Sequence, residues 1–553
     1  MRAFAELYAA LDATTSTRGK LEAMREYFAR ASDADAAWAL YFLAGAKPKQ
    51  VVPTRVLREL AREEAGIPEW LFDECHEAVG DLAETIALLL PDGGEGDDAS
   101  FATWVEARLL PLRDAAPALV RERLREAWRA LDANGRLVWN KLITGAFRVG
   151  VSRQLVTRAI AAAAALDPRL IAERLMGQWE PTPAQYRALL APAATSPQRG
   201  QPYPFFLAHP LPGDPSALGE VAAWHAEWKW DGIRGQLVCR DGETFLWSRG
   251  EELVTDRFPE IAALGARLPA GTVLDGEILA WRGGAPLPFA VLQQRIGRKT
   301  LGSKLLADAP VAFVVYDLLE DEARDLRPLP FVERCARLAE LVAAAAAPAL
   351  VLSPAVPGES WAALAAQRAE ARGRGVEGLM LKRRDSAYGA GRVKLGPGGE
   401  WWKWKIEPLS VDAVLVYAQR GHGRRASLYT DYTFAVWHEG ALVPFAKAYS
   451  GLTDAEIRDV DAYVRANTIE KFGPVRSVKP ALVMELGFEG IQSSTRHKSG
   501  LAVRFPRMLR IRRDKSVAEA DTLARLHALL GETARAEASG DHTIVYPPST
   551  AQD

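Results

Sequence analysis

A lysine near the end of a short strand is the side chain in this sequence best suited to covalent chemistry. In the segment AEWKWDG, residues 226–232, aromatic and charged residues alternate with the two-residue period of a β-strand, and the closing Asp-Gly supplies a turn. One strand face is then aromatic, while the other carries the carboxylate of Glu227 and the amine of Lys229. Desolvation, nearby cations or a metal ion would favour the neutral amine, which is the nucleophilic form. The alternative is an edge strand with an exposed lysine.

The same stretch is similar to the first motif of a known superfamily. Its pattern Lys-x-Asp-Gly-x-Arg, residues 229–234, resembles motif I of the covalent nucleotidyltransferases, which include ATP-dependent DNA ligases, RNA ligases and mRNA capping enzymes. In that superfamily the motif lysine attacks the α-phosphate of a nucleoside triphosphate and carries the nucleotide as a phosphoramide. The resemblance implies that Lys229 is the catalytic nucleophile.

Five further segments follow in the order of the superfamily's motifs. They resemble motifs Ia, III, IIIa, IV and V, and they are Ser248–Glu251, Leu274–Ile278, Phe313–Leu319, Val376–Lys382 and Trp401–Lys405. Taken singly, each could be a solvent-facing strand or ordinary core. Together, in order and at family-like spacing, they make the resemblance specific.

The charged residues of these motifs suit a triphosphate and a metal ion. Lys403 and Lys405 are two residues apart, so both amines lie on one face of a strand, and the resemblance implies that they contact the α-phosphate. Carboxylates are ligands that Mg²⁺ prefers, with Mn²⁺ as the alternative ion. The resemblance implies that Glu377 binds the metal and that Glu277 serves the ribose and the metal region.

The nucleotide's base and sugar would meet other motif residues. Tyr316 offers an aromatic face on which a purine can stack. The resemblance implies that Glu227 accepts from the adenine amino group, favouring ATP over GTP, and that Arg234 and Arg249 hold phosphate and ribose.

The sequence departs from the family just before motif V, where an arginine is usual. A glycine-rich stretch, Gly396–Gly399, occupies that place, and its context predicts a surface turn rather than a phosphate-binding loop. Arg392 is the candidate for the missing arginine, and Lys394 is the alternative.

A basic segment near the C-terminus resembles motif VI of DNA ligases. It comprises RFPR, residues 504–507, and RRDK, residues 512–515. The resemblance implies that Arg512, Asp514 and Lys515 orient the leaving pyrophosphate, and that a hinge lies at Asp412. The alternative is a basic strand end.

The elements that must position these residues predict a multidomain chain. Residues 1–195 read as an all-α domain, with Leu124, Trp128 and Leu131 on one helix face and Gly135 as a helix stop. This region resembles the helical DNA-binding domain of archaeal and eukaryotic-type DNA ligases, most closely at residues 140–152. A Pro/Gly/Ser-rich linker at 195–212 follows.

Two further domains are predicted after the linker. Residues 205–408 alternate strands and helices, as in an α+β core, and the resemblance implies an ATP-grasp-like nucleotidyltransferase domain. Residues 410–535 carry short strands that fit a five-stranded β-barrel such as an OB-fold, with a capping box at Ser516 and Glu519 opening a final helix. The polar tail at 536–553 is expected to be disordered.

Bulk composition predicts a cytoplasmic protein. The net charge is −1, so any nucleic-acid site must come from local clusters. The three cysteines have no zinc or disulfide spacing, and the sequence predicts neither a signal peptide nor a membrane span. Three basic clusters could contact a phosphate backbone: Arg295, Arg298, Lys299 and Lys304; Arg420, His422, Arg424 and Arg425; and Arg496, His497 and Lys498.

The resulting expectation is an ATP-dependent DNA ligase. It would act as a monomer on nicked duplex DNA in replication, repair or recombination, sealing a 5′-phosphate to a 3′-hydroxyl through lysyl-AMP and DNA-adenylate. An RNA ligase or a capping-type nucleotidyltransferase is the nearest alternative. A nick-binding scaffold without chemistry is the alternative from another class, against which the retained Lys229, Glu277 and Glu377 argue.

Overall fold

A computed structural model describes most of the chain in two compact units. The described residues are 1–48, 51–91, 93–94, 96–145, 147, 149–176, 179–191, 200–296, 298, 301–392, 400–421, 427–495 and 497–539. The first unit comprises Met1–Ile171, Glu180–Pro192 and Pro408–Leu530, and the second comprises Ala172–Trp179, Ala193–Glu407 and Gly531–Asp553.

The N-terminal region is helical, as its composition predicts. Its α-helices are α1 (Arg2–Ala13), α2 (Thr17–Arg30), α3 (Asp33–Leu43), α4 (Thr54–Ala65), α5 (Glu69–Val79), α6 (Leu82–Leu89), α7 (Phe101–Thr103), α8 (Pro117–Ala130), α9 (Ala133–Thr144), α10 (Arg153–Ala164), α11 (Pro168–Arg174) and α12 (Pro183–Leu190). Side-chain oxygens cap many of these helices by accepting a first-turn N–H. Within the described ranges, no helix combines the length and apolar composition needed to cross a bilayer.

The predicted helix stop at Gly135 is wrong. Helix α8 already ends at Ala130, and Asp132 caps the next helix by accepting the Gly135 N–H at 2.8 Å. Glycine therefore lies in the first turn of α9, where the aspartate cap offsets its low helix propensity. The predicted apolar face is confirmed, because Leu124, Trp128 and Leu131 are buried.

The second unit contains two sheets. One has the order β1 (His209–Pro210), β11 (Trp401–Lys405), β10 (Val376–Arg383) and β2 (Trp224–Trp230). The other has the order β4 (Glu243–Ser248), β3 (Ile233–Arg240), β5 (Thr272–Arg282), β7 (Val311–Asp321) and β8 (Arg324–Asp325), with β6 (Ala285–Pro286) beside β5 and β9 (Leu350–Leu352) beside β7. Its helices are α13 (Pro259–Ala262), α14 (Phe289–Ile296), α15 (Ser303–Asp308), α16 (Phe331–Ala345) and α17 (Trp361–Ala369).

Alternation along β2 separates a packed face from a chemical face, as predicted. Trp228 lies opposite Leu379 of β10, which in turn lies opposite Trp404 of β11, and all three are buried. The intervening positions place Glu227, Lys229 and their cross-strand neighbours on the other face. The alternation of strands and helices predicted for this region is confirmed.

The C-terminal part of the first unit is mainly antiparallel sheet. Its main path is β14 (Ala441–Ala448), β13 (Tyr429–His438), β12 (Leu409–Arg420), β16 (Val475–Val478) and β15 (Thr468–Phe472), while β17 (Val483–Phe488) pairs with β12 and β20 (Arg507–Ile511). A hairpin of β18 (Gly490–Ser493) and β19 (Leu501–Arg504) and the helices α18 (Asp454–Ala466) and α19 (Leu523–Ser539) complete it. The described sheet has seven strands, so the predicted count of five is too low.

The capping box near the C-terminus forms but caps a different element. Glu519 accepts from the Ser516 backbone N–H at 2.8 Å and from its hydroxyl at 2.7 Å. The helical residues that follow are only a 3₁₀ turn, because Ala520 is extended and ends it. Helix α19 begins later, at Leu523, and buries Leu526.

Candidate active site

Three neighbouring strands bring two lysines to one carboxylate. Lys229 of β2 donates from Nζ to Oε2 of Glu377 on β10, and Nζ of Lys405 on β11 lies 3.0 Å from the same oxygen. The side chains of Lys229 and Glu377 are 21% and 18% exposed, so the cluster is partly open to solvent. A nucleophilic amine here is held in place by its counter-ion and remains accessible.

A β-bulge aims the Glu377 carboxylate at these lysines. The pairing of β10 with β2 shifts register between Val376 and Leu379, which inserts residues 377 and 378 irregularly. Gly378 has φ +130°, and a Cβ there would lie 2.4 Å from the Trp404 carbonyl oxygen. Only glycine fits both the conformation and the close approach, so the Glu-Gly pair is a geometric requirement.

Opposing effects set the charge of Glu377. Burial disfavours its ionised form, but the charges of Lys229 and Lys405 outweigh burial and hold the pKa of Glu377 below its usual value. Glu377 is therefore a carboxylate at neutral pH.

The pKa of Glu277, on β5, is shifted in the opposite direction to that of Glu377. Burial raises the pKa of Glu277 to about 7, with the negative charges of Glu377 and Asp275 adding to the rise and Lys229 opposing it. The Tyr316 hydroxyl lies 3.4 Å from the Glu277 carboxylate. A cation close to both glutamates would favour both ionised forms.

The structure also explains why a glycine occupies position 232 in motif I. A Cβ at Gly232 would lie 2.4 Å from the Ile278 carbonyl oxygen and 2.8 Å from Cγ of Glu277. The turn after Lys229 therefore packs directly on the strand that carries Glu277. This contact brings Lys229 and Glu277 into one site.

Further positive charge surrounds the lysines. Partial burial lowers the pKa of Lys403, and the charges of Arg392, Lys229 and Lys405 lower it further. Arg392 is exposed and lies next to Gly391, which pairs with Phe206. The electrostatic influence of Arg392 on Lys403 favours Arg392 as the candidate arginine, while Lys394 and Gly396–Gly399 lie outside the described residues.

The predicted base-recognition residue forms a buried ion pair. Glu227 Oε1 lies 2.5 Å from Nζ of Lys382, and both side chains are almost fully buried. Nζ of Lys382 is 4.4 Å from the ring centres of Tyr316 and Trp401. Burial raises the pKa of Glu227, and Lys382 opposes that rise. Lys382 is the last residue of the segment that resembles motif IV, and its pairing with Glu227 could not be predicted from the sequence.

Arg234 is engaged within the fold. Its guanidinium donates to Asp275 at 3.0 and 2.6 Å and to the Phe206 carbonyl at 2.7 Å. The Tyr388 hydroxyl donates to the same carboxylate at 2.6 Å. Sequence reasoning missed Asp275 and Tyr388, although the Asp-Gly-Glu of motif III contains the first. The side chain of Arg249 is exposed.

One predicted DNA contact is wrong. Arg295 is fully buried and pairs with Glu260 at 2.8 Å, so it cannot reach a phosphate backbone. An arginine at the end of an amphipathic helix can face the protein interior when a carboxylate pairs with it. The amino-acid composition does not show whether such a carboxylate is present. Of the other cluster members, the side chains of Arg298, Lys304, His497 and Lys498 are exposed and that of Arg420 is half-buried. Lys299, His422, Arg424, Arg425 and Arg496 lie outside the described residues.

The motif VI residues gather in the first compact unit. Arg512 lies between two carboxylates, donating to Asp412 at 2.8 Å and to Asp514 at 2.7 Å. Lys515 donates to Asp412 at 2.6 Å. The structure thus brings the three predicted residues together and adds Asp412 to them.

Comparison with known families matches all three regions of the chain. Residues 1–161 match the DNA ligase N terminus, residues 205–405 match the ATP dependent DNA ligase domain, and residues 425–515 match the ATP dependent DNA ligase C terminal region. The chain therefore contains a helical N-terminal region, a central nucleotidyltransferase domain and a C-terminal β domain.

Curated relatives agree with this assignment. A probable DNA ligase of Koribacter versatilis is 33% identical over 95% of this chain and 96% of its own length. A probable DNA ligase of Opitutus terrae is 32% identical over the whole chain, which spans 64% of that relative. The match to the solved structure named Pmar-Lig_Pre covers 92% of this chain and 99% of that chain, with a TM-score of 0.60. The sequence identity is 15%, so this match shows similarity of fold alone. The chain belongs to the ATP-dependent DNA ligase family, which confirms the predicted family over the RNA ligase and capping alternatives.

Proposed function

We propose that this chain seals nicks in duplex DNA with ATP, using Lys229 as the covalent carrier of AMP. The observation that carries the proposal is the convergence of Lys229 and Lys405 on Glu377, within a cluster that also includes Glu277 and Lys403. Such a site can bind a triphosphate, align an amine with its α-phosphate and stabilise charge at phosphorus.

The proposed reaction has three steps. First, Lys229 Nζ forms a P–N bond to the α-phosphate of ATP, pyrophosphate leaves and the amine loses a proton. Next, an oxygen of the 5′-phosphate of the nick attacks the adenylate phosphorus, which forms a P–O–P anhydride and breaks the P–N bond, and the lysine amine regains a proton. Finally, the 3′-hydroxyl attacks the activated phosphate, forms the phosphodiester and releases AMP.

Glu377 prepares Lys229 for the first step. As a carboxylate it holds the ammonium of Lys229 in place and also binds Lys405. Recruiting Glu377 to another cation would release the Lys229 amine from its counter-ion and free it to attack. Lys403 and Lys405 would then be available to the α-phosphate.

The donor set fits Mg²⁺ bound together with the substrate. No group of three or more His, Cys, Asp and Glu side chains is arranged to hold a metal within the described parts of the chain. Mg²⁺ needs fewer protein ligands, because it commonly uses one or two carboxylates with water and substrate phosphates. Glu277 and Glu377 would hold it, and the ion would neutralise charge on the phosphates.

Base choice is proposed to depend on Glu227 and Tyr316. Lys382 binds one oxygen of Glu227, and the other, which lies 3.9 Å from His225 Nε2, is proposed to accept from the adenine amino group. Tyr316 would stack on the purine. Arg249 is proposed to bind the ribose or phosphate, whereas the bonds of Arg234 to Asp275 favour a supporting role.

The remaining regions are proposed to hold the DNA. The helical domain at 1–195 and an OB-type barrel at 410–535 would contact the phosphate backbone on either side of a nick without reading sequence. Arg512, Asp514 and Lys515 would orient pyrophosphate during lysine adenylylation. We propose a cytoplasmic monomer.

Intact-mass measurement tests the covalent step. Incubation with ATP and Mg²⁺ should add the mass of one AMP to the wild type and none to Lys229→Ala, while both should bind a pre-adenylylated nick. Lys471→Ala, which changes an exposed lysine of β15, is the matched control and should gain AMP normally. AMP on the Lys229→Ala protein would refute the assignment. Sealing of a labelled nicked duplex with ATP, compared with NAD⁺ and with RNA ends, then tests the overall reaction.

A further inference from the structure

One carboxylate of the C-terminal β domain binds both motif VI cations. Arg512 Nη1 donates to the two oxygens of Asp412 at 2.9 and 2.8 Å, and Lys515 Nζ donates to one of them at 2.6 Å. The other edge of the Arg512 guanidinium donates to Asp514 at 3.0 and 2.7 Å. We call these four residues the Asp412 clamp, within which two positive and two negative charges cancel.

The four residues of the Asp412 clamp differ in how well they are held and how far they are exposed. The backbone N–H of Asp412 donates to the Asp521 carboxylate, and its carbonyl accepts from the Asp521 N–H, both at 2.8 Å. Strand β17 pairs with Asp412 through Glu485. The side chains of Asp412 and Arg512 are 9% and 13% exposed, whereas Lys515 is 31% and Asp514 is 64% exposed. Lys515 is therefore the more accessible of the two cations that Asp412 binds.

The clamp uses the donors that a polyphosphate needs. A guanidinium presents its N–H groups as a planar fork, and carboxylate and phosphate bind that fork in the same bidentate way. In the clamp, Nε and Nη2 of Arg512 face Asp514, and Nη1 faces Asp412. The hydrogen bond to Asp412 also raises the pKa of Lys515, as expected of an ammonium held by a carboxylate. A phosphate group can bind the Arg512 fork in this bidentate way only by displacing a carboxylate.

We propose that Asp412 is a positioning residue that withholds Arg512 and Lys515 from anions until the β- and γ-phosphates of ATP displace it. The proposal rests on the function proposed above for motif VI. The exchange makes and breaks no covalent bond, because the cations move from carboxylate to phosphate. When pyrophosphate is the product, return of the cations to Asp412 favours its release and opposes reversal of adenylylation.

The test removes the charge of Asp412 and leaves the cations in place. Asp412→Asn should lower the KM for ATP in adenylylation about threefold and tighten pyrophosphate binding by a similar factor, the scale of a partly exposed ion pair. Sealing of a pre-adenylylated nick should change much less. Asp459→Asn is the matched control, because Asp459 pairs with the adjacent but exposed Arg513 at 2.9 Å, and it should leave all three measurements unchanged.

The opposite result would show that Asp412 presents the cations rather than withholding them. An unchanged or raised KM for ATP, with unchanged or weaker pyrophosphate binding, would overturn the proposal. Asp412→Ser is a second uncharged variant and decides the question if Asp412→Asn fails to fold by thermal melting. A wild type that gains no AMP would contradict the proposed function instead. Calorimetric titration of pyrophosphate into wild type and variant would still decide the role of Asp412.

Discussion

Replacing Glu277 with glutamine is expected to stabilise the protein at pH 8 while impairing lysine adenylylation. Burial raises the pKa of Glu277 from 4.5 to about 7, so ionising this carboxyl costs more in the folded than in the unfolded chain. The cost is absent below pH 4.5, grows as the pH rises towards 7 and is constant above that. Glutamine carries no charge and avoids the cost at every pH.

The size of the effect follows from the shift in pKa. A change from 4.5 to about 7 is about 2.5 units, and each unit corresponds to about 1.4 kcal/mol, so the upper limit is about 3.5 kcal/mol. Partial solvent access and the weak contact with the Tyr316 hydroxyl at 3.4 Å reduce the gain. A stabilisation of about 1–3 kcal/mol corresponds to several degrees in the melting temperature of a domain of this size.

Thermal unfolding of the full chain at several pH values measures this. Without divalent metal, Glu277→Gln should melt above the wild type at pH 8 and close to it at pH 5. Glu340→Gln, which changes an exposed glutamate on α16, should shift neither. A variant that melts below the wild type at pH 8, or a difference that is the same at both pH values, would refute the reasoning. Adding Mg²⁺ should raise the melting temperature of the wild type more than that of the variant.

Three further predictions concern other parts of the chain. Deleting residues 1–195 should preserve self-adenylylation but strongly reduce nick sealing at moderate salt, because phosphate contacts dominate duplex binding; electrophoresis of labelled adenylate and of sealed DNA measures both. Alanine at Asp514 or Lys515 should slow adenylylation at least tenfold and hardly change sealing of a pre-adenylylated nick, since only the first step involves pyrophosphate; single-turnover rates measure this. Gly378→Ala should destabilise the protein by more than 2 kcal/mol, because φ is +130° and the added Cβ would overlap the Trp404 carbonyl; thermal melting measures it.

Each of these predictions has a contradicting result. Full nick sealing by the shortened chain would show that the remaining regions are sufficient to bind DNA. Equal losses in both assays for the Asp514 and Lys515 variants would show that motif VI acts through folding or DNA binding. Gly440→Ala is the control for Gly378, because Gly440 has φ +79° but no atom within 4 Å of an added Cβ. Equal destabilisation at both glycines would mean that backbone conformation alone, without overlap, accounts for the effect.

Alternation along strands made the site's chemical face predictable. The pattern around Lys229 requires only that side chains alternate, and Lys403 and Lys405 follow the same rule two residues apart. Both strands form as expected, and their lysines share a face with Glu377. Strand positions in the central region were predictable for the same reason.

Partners distant in sequence were not predictable from local patterns. Arg234 pairs with Asp275, which is 41 residues away, and Arg295 pairs with Glu260 across 35 residues. A charged residue looks the same in the sequence whether it faces solvent or a buried counter-ion, and only the packing of one element on another decides which. Short strands such as β15, β18 and β19 escaped prediction because they hold too few residues to establish a period.

The motifs were recognisable because geometry and chemistry constrain the same positions. Gly232 must lack a Cβ so that the turn after Lys229 can pack on the strand of Glu277, and Gly378 must lack one so that a bulge can aim Glu377. Lys229 and Glu377, the proposed nucleophile and metal ligand, thus lie within three residues of a glycine that makes their placement possible. A substitution at either glycine should therefore displace a carboxylate or the nucleophile without removing it. Such variants should lose adenylylation while retaining every charged group of the site, which distinguishes the requirement for position from the requirement for charge.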